Sequence, residues 1–291
     1  MASTITTQAK STKQPNIEST HNEVTQYYYP DPVSQQVIQQ WLFMDLLPWQ
    51  QATWQYLTTH IDALPHAMLF AGNAGTGKRA FVYRFVAWAL CENQRDNVQG
   101  VATACGQCQS CQWLIANTHP DLYQIPTPTV ARDASPKPKV NNALVAQAPT
   151  HQSSYSIKID EIRELQPFVT QSSGGLRIVV IHQADAMTLA ASNALLKTLE
   201  EPAENVLMLL ISDSPSQLLP TIRSRLQAFS VSHVTPAQSM QVMQQLMPNT
   251  DTATLKQVSE LSGYAPFLAL QMLNSEWYQH RQTWINSFQA V

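Results

Sequence analysis

The 291-residue sequence predicts an α/β protein in which helices flank a parallel sheet and a small helical region follows. Short apolar runs alternate with helical patterns along the middle of the chain, as in proteins whose parallel strands are joined by helices. The predicted strands cover residues 66–70, 122–125, 178–181 and 206–211. The strand pattern stops at Thr235, and three short helices are predicted at 237–247, 251–261 and 266–273.

A glycine-rich loop at residues 72–79 follows the first predicted strand and opens a helical pattern over Arg79–Cys91. Strand, loop and helix in this order are the context in which such a loop binds phosphate. Its backbone N–H groups surround the phosphate oxygens, helped by the positive end of the helix. The candidate phosphate-binding residues are Gly72, Gly75, Gly77 and Lys78. Arg79 occupies the position where an active site of this kind has the Ser or Thr that holds Mg²⁺.

The acidic half of a nucleotide-hydrolysing site is missing from its expected place in the sequence. A metal-binding carboxylate and then a glutamate are expected after the strand at 178–181, but His182 and Gln183 stand there. Asp185 comes three residues late, and we expect it to be a helix N-cap or a surface charge. The sequence therefore predicts a degenerate ATPase without intrinsic hydrolysis. It leaves open whether ATP or ADP still binds or whether the loop is a glycine turn without a ligand.

The four cysteines of the chain predict a structural Zn²⁺ site. The predicted metal ligands are Cys91, Cys105, Cys108 and Cys111. Four thiolates with this spacing match a closed tetrahedral zinc site, which leaves no position for a catalytic water. The alternative is a set of free or redox-active thiols. A zinc module could also contact nucleic acid, but residues 100–119 contain no Lys or Arg, which argues against that role.

Composition excludes several classes of function. The net charge of −3 and the pI of about 6.2 provide no overall basic field that would attract nucleic acid. No apolar run approaches the ~18 residues of a membrane span, and the N-terminus lacks the apolar stretch of a secretory signal. Apolar residues make up 44% of the chain, which is enough for a real core. We expect a cytoplasmic protein that has no membrane partner.

Several segments together resemble the AAA+ subunits of the bacterial DNA polymerase III clamp loader. The matching segments are Asn193–Pro202, Thr118–Asp121, Ile159–Arg163, Leu219–Arg225 and the four-cysteine module. The Asn193–Pro202 segment and the cysteine module are the most specific of these, and Leu226 replaces the cysteine of the family's Ser-Arg-Cys motif. The resemblance implies an AAA+ P-loop domain with parallel sheet, flanking helices and an inserted zinc module, followed by a small helical lid.

The resemblance also implies a division of the chain into domains. We expect a disordered tail at 1–30, an AAA+ α/β domain at 31–233, a helical lid at 234–274 and the start of a truncated collar domain at 275–291. Within the α/β domain, the zinc module would cover 91–119, and a stretch rich in Pro, Ala, Gln and Ser would form a flexible insertion at 126–154.

A family member with an eroded phosphate site implies a non-catalytic role in DNA replication. Such a subunit donates an arginine in trans to the ATP of a neighbouring motor subunit, and Arg225 is the candidate, with Arg223 as the nearby competitor. The implied partners are the motor (tau/gamma) and delta subunits, and through them the sliding clamp and primed DNA. An active ATPase of the motor type is the alternative function.

Two further expectations concern the subunit surface and the lid. Lys197, Glu200 and Glu201 are the exposed candidates for subunit contact, with a merely solvated helix face as the alternative. Ser262–Tyr264 lies where nucleotide-sensing relatives begin a helix that carries an arginine. No arginine occurs between Leu226 and His280, so we expect no nucleotide sensor in the lid.

Overall fold

The computed structural model describes residues 42–43, 45–96, 100–126, 156–170, 174–201 and 203–275, together with the single residues 278, 280, 281, 285 and 287. The predicted tail at 1–30 and residues 127–154 of the predicted insertion lie outside the described residues. Most of the predicted collar segment at 275–291 also lies outside them.

In the described part of the chain, five parallel strands form the central sheet in the order β4-β5-β6-β1-β7. The sheet strands are β1 Ala67–Ala71, β4 Leu122–Ile125, β5 Arg177–Ile181, β6 Val206–Ser212 and β7 Gln227–Ser230, and the ribbon strands are β2 Arg95–Asp96 and β3 Ala102–Thr103. The four predicted strands are therefore confirmed. The sequence analysis missed β7, because its polar, largely exposed edge position gives no apolar run, and it missed the two-residue strands of the antiparallel β2–β3 ribbon.

Helices cover both faces of the sheet and form the small region after it. Their bounds are α1 Gln51–Thr59, α2 Lys78–Ala89, α3 Gln109–Ile115, α4 Ile159–Thr170, α5 Leu189–Glu200, α6 Pro220–Arg223, α7 Pro236–Leu246, α8 Thr252–Leu261 and α9 Pro266–Leu273. Short 3₁₀ helices lie at Pro48–Gln50, Ile61–Ala63, Ala184–Ala186 and Pro215–Gln217. None of the helices in the described ranges is long and apolar enough to cross a membrane.

Alternating side chains of the buried strands divide the core into two layers. On β5, Ile178 and Val180 join the layer that contains α1, α2 and the cysteines. Val179 and Ile181 join the opposite layer, which contains α4, α5 and α6. Because a strand buried on both faces needs apolar side chains at every position, β5 and β6 read as continuous hydrophobic runs in the sequence. This arrangement places the carboxyl ends of β1, β5 and β6 side by side.

The helices α7, α8 and α9 pack together around a small core of their own. Buried Ser239 and Ser259 join α7 to α8 through a hydroxyl contact of 3.0 Å. The first turn of α9 meets the glycine-rich loop, where the N–H of Phe267 donates to the carbonyl of Gly75 at 3.1 Å. The helical region is thereby fixed directly on the predicted phosphate site.

Candidate functional site

The glycine-rich loop lies between β1 and α2, with Gly77 as the left-handed N-cap residue of α2. A Cβ added to Gly75 would lie 2.5 Å from both the backbone N and the Cβ of Leu268, so only glycine permits the contact with α9. A Cβ on Gly77 would lie 2.5 Å from Leu47 Cδ1. The loop therefore keeps the glycines of a phosphate cradle, and the chain's own residues pack closely against it.

Lys78, the predicted phosphate ligand, is bound by groups of its own chain. Its ammonium donates to the carbonyl oxygens of Gly72 at 2.8 Å and Asn73 at 2.6 Å. The same Nζ lies 2.6 Å from Asp213 Oδ1, and only 2% of the lysine side chain is exposed. Burial lowers the pKa of Lys78, and the charge of Asp213 opposes this shift. The carboxylate of Asp213 is thus paired with the ammonium group that a bound phosphate would otherwise contact.

Two carboxylates that the sequence analysis did not connect lie together beside this lysine. Asp213 follows β6, and its Oδ2 lies 4.0 Å from the Arg79 guanidinium. Asp185, expected as an N-cap or surface charge, instead lies in a 3₁₀ turn and accepts a hydrogen bond from the Asp213 N–H at 3.3 Å. The signal for Asp213 was weak, since it is one acidic residue at the end of a strand that carries no motif of its own.

Replacing Asp213 by alanine is expected to lower the free energy of unfolding by about 2 kcal/mol, because a buried ammonium would lose its carboxylate. The figure is below that for a fully buried pair, since a quarter of the Asp213 side chain is exposed. Urea unfolding would measure it, with exposed Asp62→Ala as the control. The double variant Lys78→Met/Asp213→Ala should lose less than Asp213→Ala alone. An equal or larger loss would contradict a stabilising Lys78–Asp213 pair.

A neutral hydrogen-bond network fills the place where the metal-binding acid was missing. Tyr83 of α2 donates its hydroxyl to Gln124 Oε1, and its oxygen lies 2.5 Å from His182 Nε2. The rings of Tyr83 and His182 stack at a centroid distance of 5.2 Å. Gln124 in turn donates to Asn117 Oδ1 at 2.7 Å. Mg²⁺ prefers carboxylate and water oxygens, so this buried set does not fit a catalytic metal site.

Burial lowers the pKa of His182 to about 3, with the Arg79 charge as a second cause. Because Tyr83 donates to Gln124, we assign the Nε2–H tautomer to His182. Its Nδ1 is then an acceptor, and this atom has no hydrogen-bond partner among the described residues. Sequence reasoning recorded His182 only as a missing acid. Its role as the centre of a buried network depends on Tyr83, 99 residues away.

The His182 ring is expected to make the protein less stable in mild acid. Its folded pKa lies below its unfolded value, so between these values only the unfolded state takes up a proton, and stability falls as the pH falls. From about pH 7 to about pH 5.5, this group alone should cost about 1.3 kcal/mol. Urea unfolding of His182→Gln, which cannot titrate there, should show a pH dependence that is smaller by that amount. Equal slopes for the two proteins would contradict a buried neutral histidine.

The four predicted cysteine ligands come together in one cluster. Their sulfur atoms all lie within 4.8 Å of one another. The Sγ–Sγ distances are 3.9 Å for Cys91–Cys108, 3.9 Å for Cys105–Cys111 and 3.7 Å for Cys91–Cys111. A tetrahedral zinc site with Zn–S bonds of about 2.3 Å has S–S edges of about 3.8 Å. The donor set and its spacing therefore fit a single four-coordinate metal ion.

The surroundings of these sulfur atoms change the pKa values of three of the four thiols. The N–H groups of Gln107 and Cys108 donate to Cys105 Sγ at 3.4 and 3.2 Å, and they lower the pKa of Cys105 to about 6. Burial raises the pKa of Cys91 and Cys111. Deprotonating those two thiols is therefore costly unless a cation compensates them.

Arg225, the predicted trans-acting arginine, lies on the surface just after α6. Its side chain is 36% exposed, and its Nη2 lies 2.6 Å from Glu200 Oε1 at the end of α5. Its Nη1 donates to the carbonyl of Thr221 at 2.8 Å. Arg223 is also exposed and makes no ion pair with the described residues. Lys197, Glu200 and Glu201 are exposed, as expected.

The sheet order, the glycine-rich loop between β1 and α2, the cysteine cluster and the packed helical lid define an AAA+ P-loop protein with an inserted four-cysteine module. A family model described as DNA polymerase III, delta subunit, matches residues 49–235. The chain belongs to this family, and the relatives reported next carry the name DNA polymerase III subunit delta'.

The delta' subunit of Pseudomonas aeruginosa is 35% identical over 230 residues, which is 78% of this chain and 61% of the relative. That of Escherichia coli K12 is 28% identical over 240 residues, 81% of this chain and 63% of the relative. The chain thus spans about three-fifths of the length of these relatives. A crystal structure of a gamma subunit-related protein of Thermotoga maritima is similar with a TM-score of 0.36 and 17% identity, over 74% of this chain and 69% of that chain.

Proposed function

We propose that this chain is a non-catalytic stator subunit of a DNA polymerase III clamp loader. In this role it completes the ATP site of a neighbouring motor subunit and helps to place the sliding clamp on primed DNA. The motor (tau/gamma) and delta subunits are the proposed partners. The observation that carries the proposal is the internal binding of Lys78, whose buried ammonium is already neutralised by Asp213.

Three features of the loop and its surroundings support the absence of turnover by the chain alone. Arg79 replaces the hydroxyl that would hold Mg²⁺. His182 lies in a buried, uncharged network where the metal carboxylate would be. The first turn of α9 packs on Gly75, and Leu268 lies in the space beside its Cα. The proposed domain division assigns this packing to a contact between the α/β domain and the lid.

Arg225 is the group through which the proposed subunit would act. Its planar guanidinium matches two phosphate oxygens at once. Directed at the γ-phosphate of a neighbour's ATP, it would stabilise the negative charge of the transition state. The side chain is exposed, so it can reach a partner without unfolding of its own domain.

Zn²⁺ is the ion that we propose for Cys91, Cys105, Cys108 and Cys111. All four ligand positions are filled by protein sulfur, so the ion would be structural. It would fasten the segment between α2 and α3 to the main core, to which the four cysteines belong.

The test is Mg²⁺-dependent ATP turnover by the zinc-loaded chain, alone and mixed with the motor and delta subunits, the clamp and primed DNA. Size-exclusion chromatography would first verify that the chain enters the complex. The proposal is supported if the isolated chain shows no ATP turnover, if the chain stimulates turnover in the mixture, and if Arg225→Ala removes that stimulation. Turnover by the isolated chain would overturn this proposal in favour of an active ATPase of the motor type.

A further inference from the structure

The exposed guanidinium of Arg225 is held in one place by two groups of its own chain. Glu200, the last residue of α5, contacts Nη2 at 2.6 Å, and the Thr221 carbonyl accepts from Nη1 at 2.8 Å. Within the described part of the chain these are the two polar partners of the guanidinium. Both terminal nitrogens are thus engaged in cis, although a phosphate in trans requires the same groups.

We propose that Glu200 holds Arg225 in a parked position in the free subunit, and that Arg225 leaves this carboxylate for the triphosphate of a neighbouring subunit. The inference rests on the proposed function of Arg225 as a trans-acting finger. It makes Glu200 a positioning residue that regulates how readily the finger engages. Thr221 supports the parked position through its backbone, so substitution of its side chain leaves that contact in place.

The surroundings of Glu200 explain why the parked pair can open. The carboxylate lies at the C-terminal end of α5, where the helix dipole disfavours a negative charge. Its side chain is 48% exposed and that of Arg225 36%, so water can solvate both charges when they separate. Exposed pairs of this kind shift an equilibrium by about fivefold at most. A triphosphate carries more negative charge than one carboxylate and therefore competes effectively for the guanidinium.

Binding of the motor subunit is the sharpest readout, because only a nucleotide-loaded motor offers Arg225 a phosphate. Free subunits with a parked arginine are not competent to bind the phosphate, so the apparent affinity falls to the fraction of subunits whose arginine is released. Glu200→Gln keeps the size of the side chain but removes its charge. It is expected to bind the motor about two- to fivefold more tightly when a non-hydrolysable ATP analogue is present. The nucleotide-free motor offers Arg225 no phosphate, so Glu200→Gln should not tighten its binding there.

Two controls separate parking from a general surface effect. Glu204→Gln removes another carboxylate close to the end of α5, one that is exposed, forms no ion pair with the described residues and is not among the candidates for subunit contact. It should bind like the wild type in both nucleotide states. In an Arg225→Ala background, Glu200→Gln should have no effect, because no guanidinium is left to release.

The outcomes also separate this inference from the proposed function. If Arg225→Ala leaves ATP turnover in the complex unchanged, the finger itself is refuted. If Arg225→Ala removes turnover but Glu200→Gln binds like the wild type, only the parked position is refuted. Tightening by Glu200→Gln without nucleotide, weaker binding, or an effect that survives Arg225→Ala would likewise overturn it, since each shows that Glu200 acts on the partner directly.

Discussion

Replacing Arg225 by alanine is expected to remove the ATP turnover that, in the proposed function, this chain confers on a motor subunit. At the ATP site that Arg225 is proposed to complete, the loss should be about 10³-fold or more, the range measured for arginine fingers of other nucleotide hydrolases. The fold should be unaffected, since the side chain lies on the surface and its ion pair is exposed. Steady-state turnover of the assembled complex measures the effect, expressed as stimulation above the complex without this chain.

Charge alone is not expected to replace Arg225. Arg225→Lys keeps the positive charge but loses the planar fork that binds two phosphate oxygens, so it should recover only a small part of the stimulation. Arg223→Ala is the matched control, because this exposed arginine lies two residues away in the same turn. If Arg223→Ala abolishes the stimulation and Arg225→Ala does not, our assignment of the finger is wrong.

Removal of the proposed Zn²⁺ ion is expected to have the largest effect on folding. A four-thiolate zinc site contributes on the order of 10 kcal/mol of local folding free energy. Cys111 is fully buried within the main core, so Cys111→Ser should unfold the segment around α3 and lower the thermal midpoint of the whole domain. Hydrogen exchange of residues 91–119 with and without a chelator measures the local loss, and calorimetry measures the change in midpoint.

A substitution of an exposed neighbour serves as the control for this prediction. Gln107→Ser changes a side chain that is not among the sulfur ligands and keeps the backbone N–H that donates to Cys105. It should bind one Zn²⁺ per chain and resist exchange like the wild type. The metal would be contradicted if a chelator left the hydrogen exchange of residues 91–119 unchanged and if Cys111→Ser were as stable as Gln107→Ser. The cysteines would then be structural thiols without a metal.

Local sequence was enough to predict the elements that carry the site. The loop at 72–79 can be recognised from the sequence because its glycines, its lysine and the flanking strand and helix are contiguous. The four cysteines can be recognised as candidate metal ligands because a metal site requires a particular ligand type at close spacing. The Arg225 prediction depended on the family resemblance of its segment, since a lone arginine after a short helix carries no signal by itself.

The environments of these residues could not be predicted from the sequence. Lys78 and Asp213 are far apart in the chain, and they meet because β1 lies beside β6. Tyr83 and His182 are also far apart, and they meet because α2 packs on the sheet face that includes β5. The pairing of Arg225 with Glu200 likewise depends on how α5 and α6 pack.

The sequence by itself determined the fold class, the four cysteines that could hold a metal ion and the lack of an acidic residue at positions 182 and 183, because these follow from residue types and short spacings. Only the tertiary structure decided which groups surround the side chains of the candidate site: the partly exposed carboxylate of Asp213 on Lys78, a neutral network around His182 and the exposed carboxylate of Glu200 on Arg225. The physical reason is that burial and charge pairing act between residues that only the strand order and helix packing bring within a few ångströms.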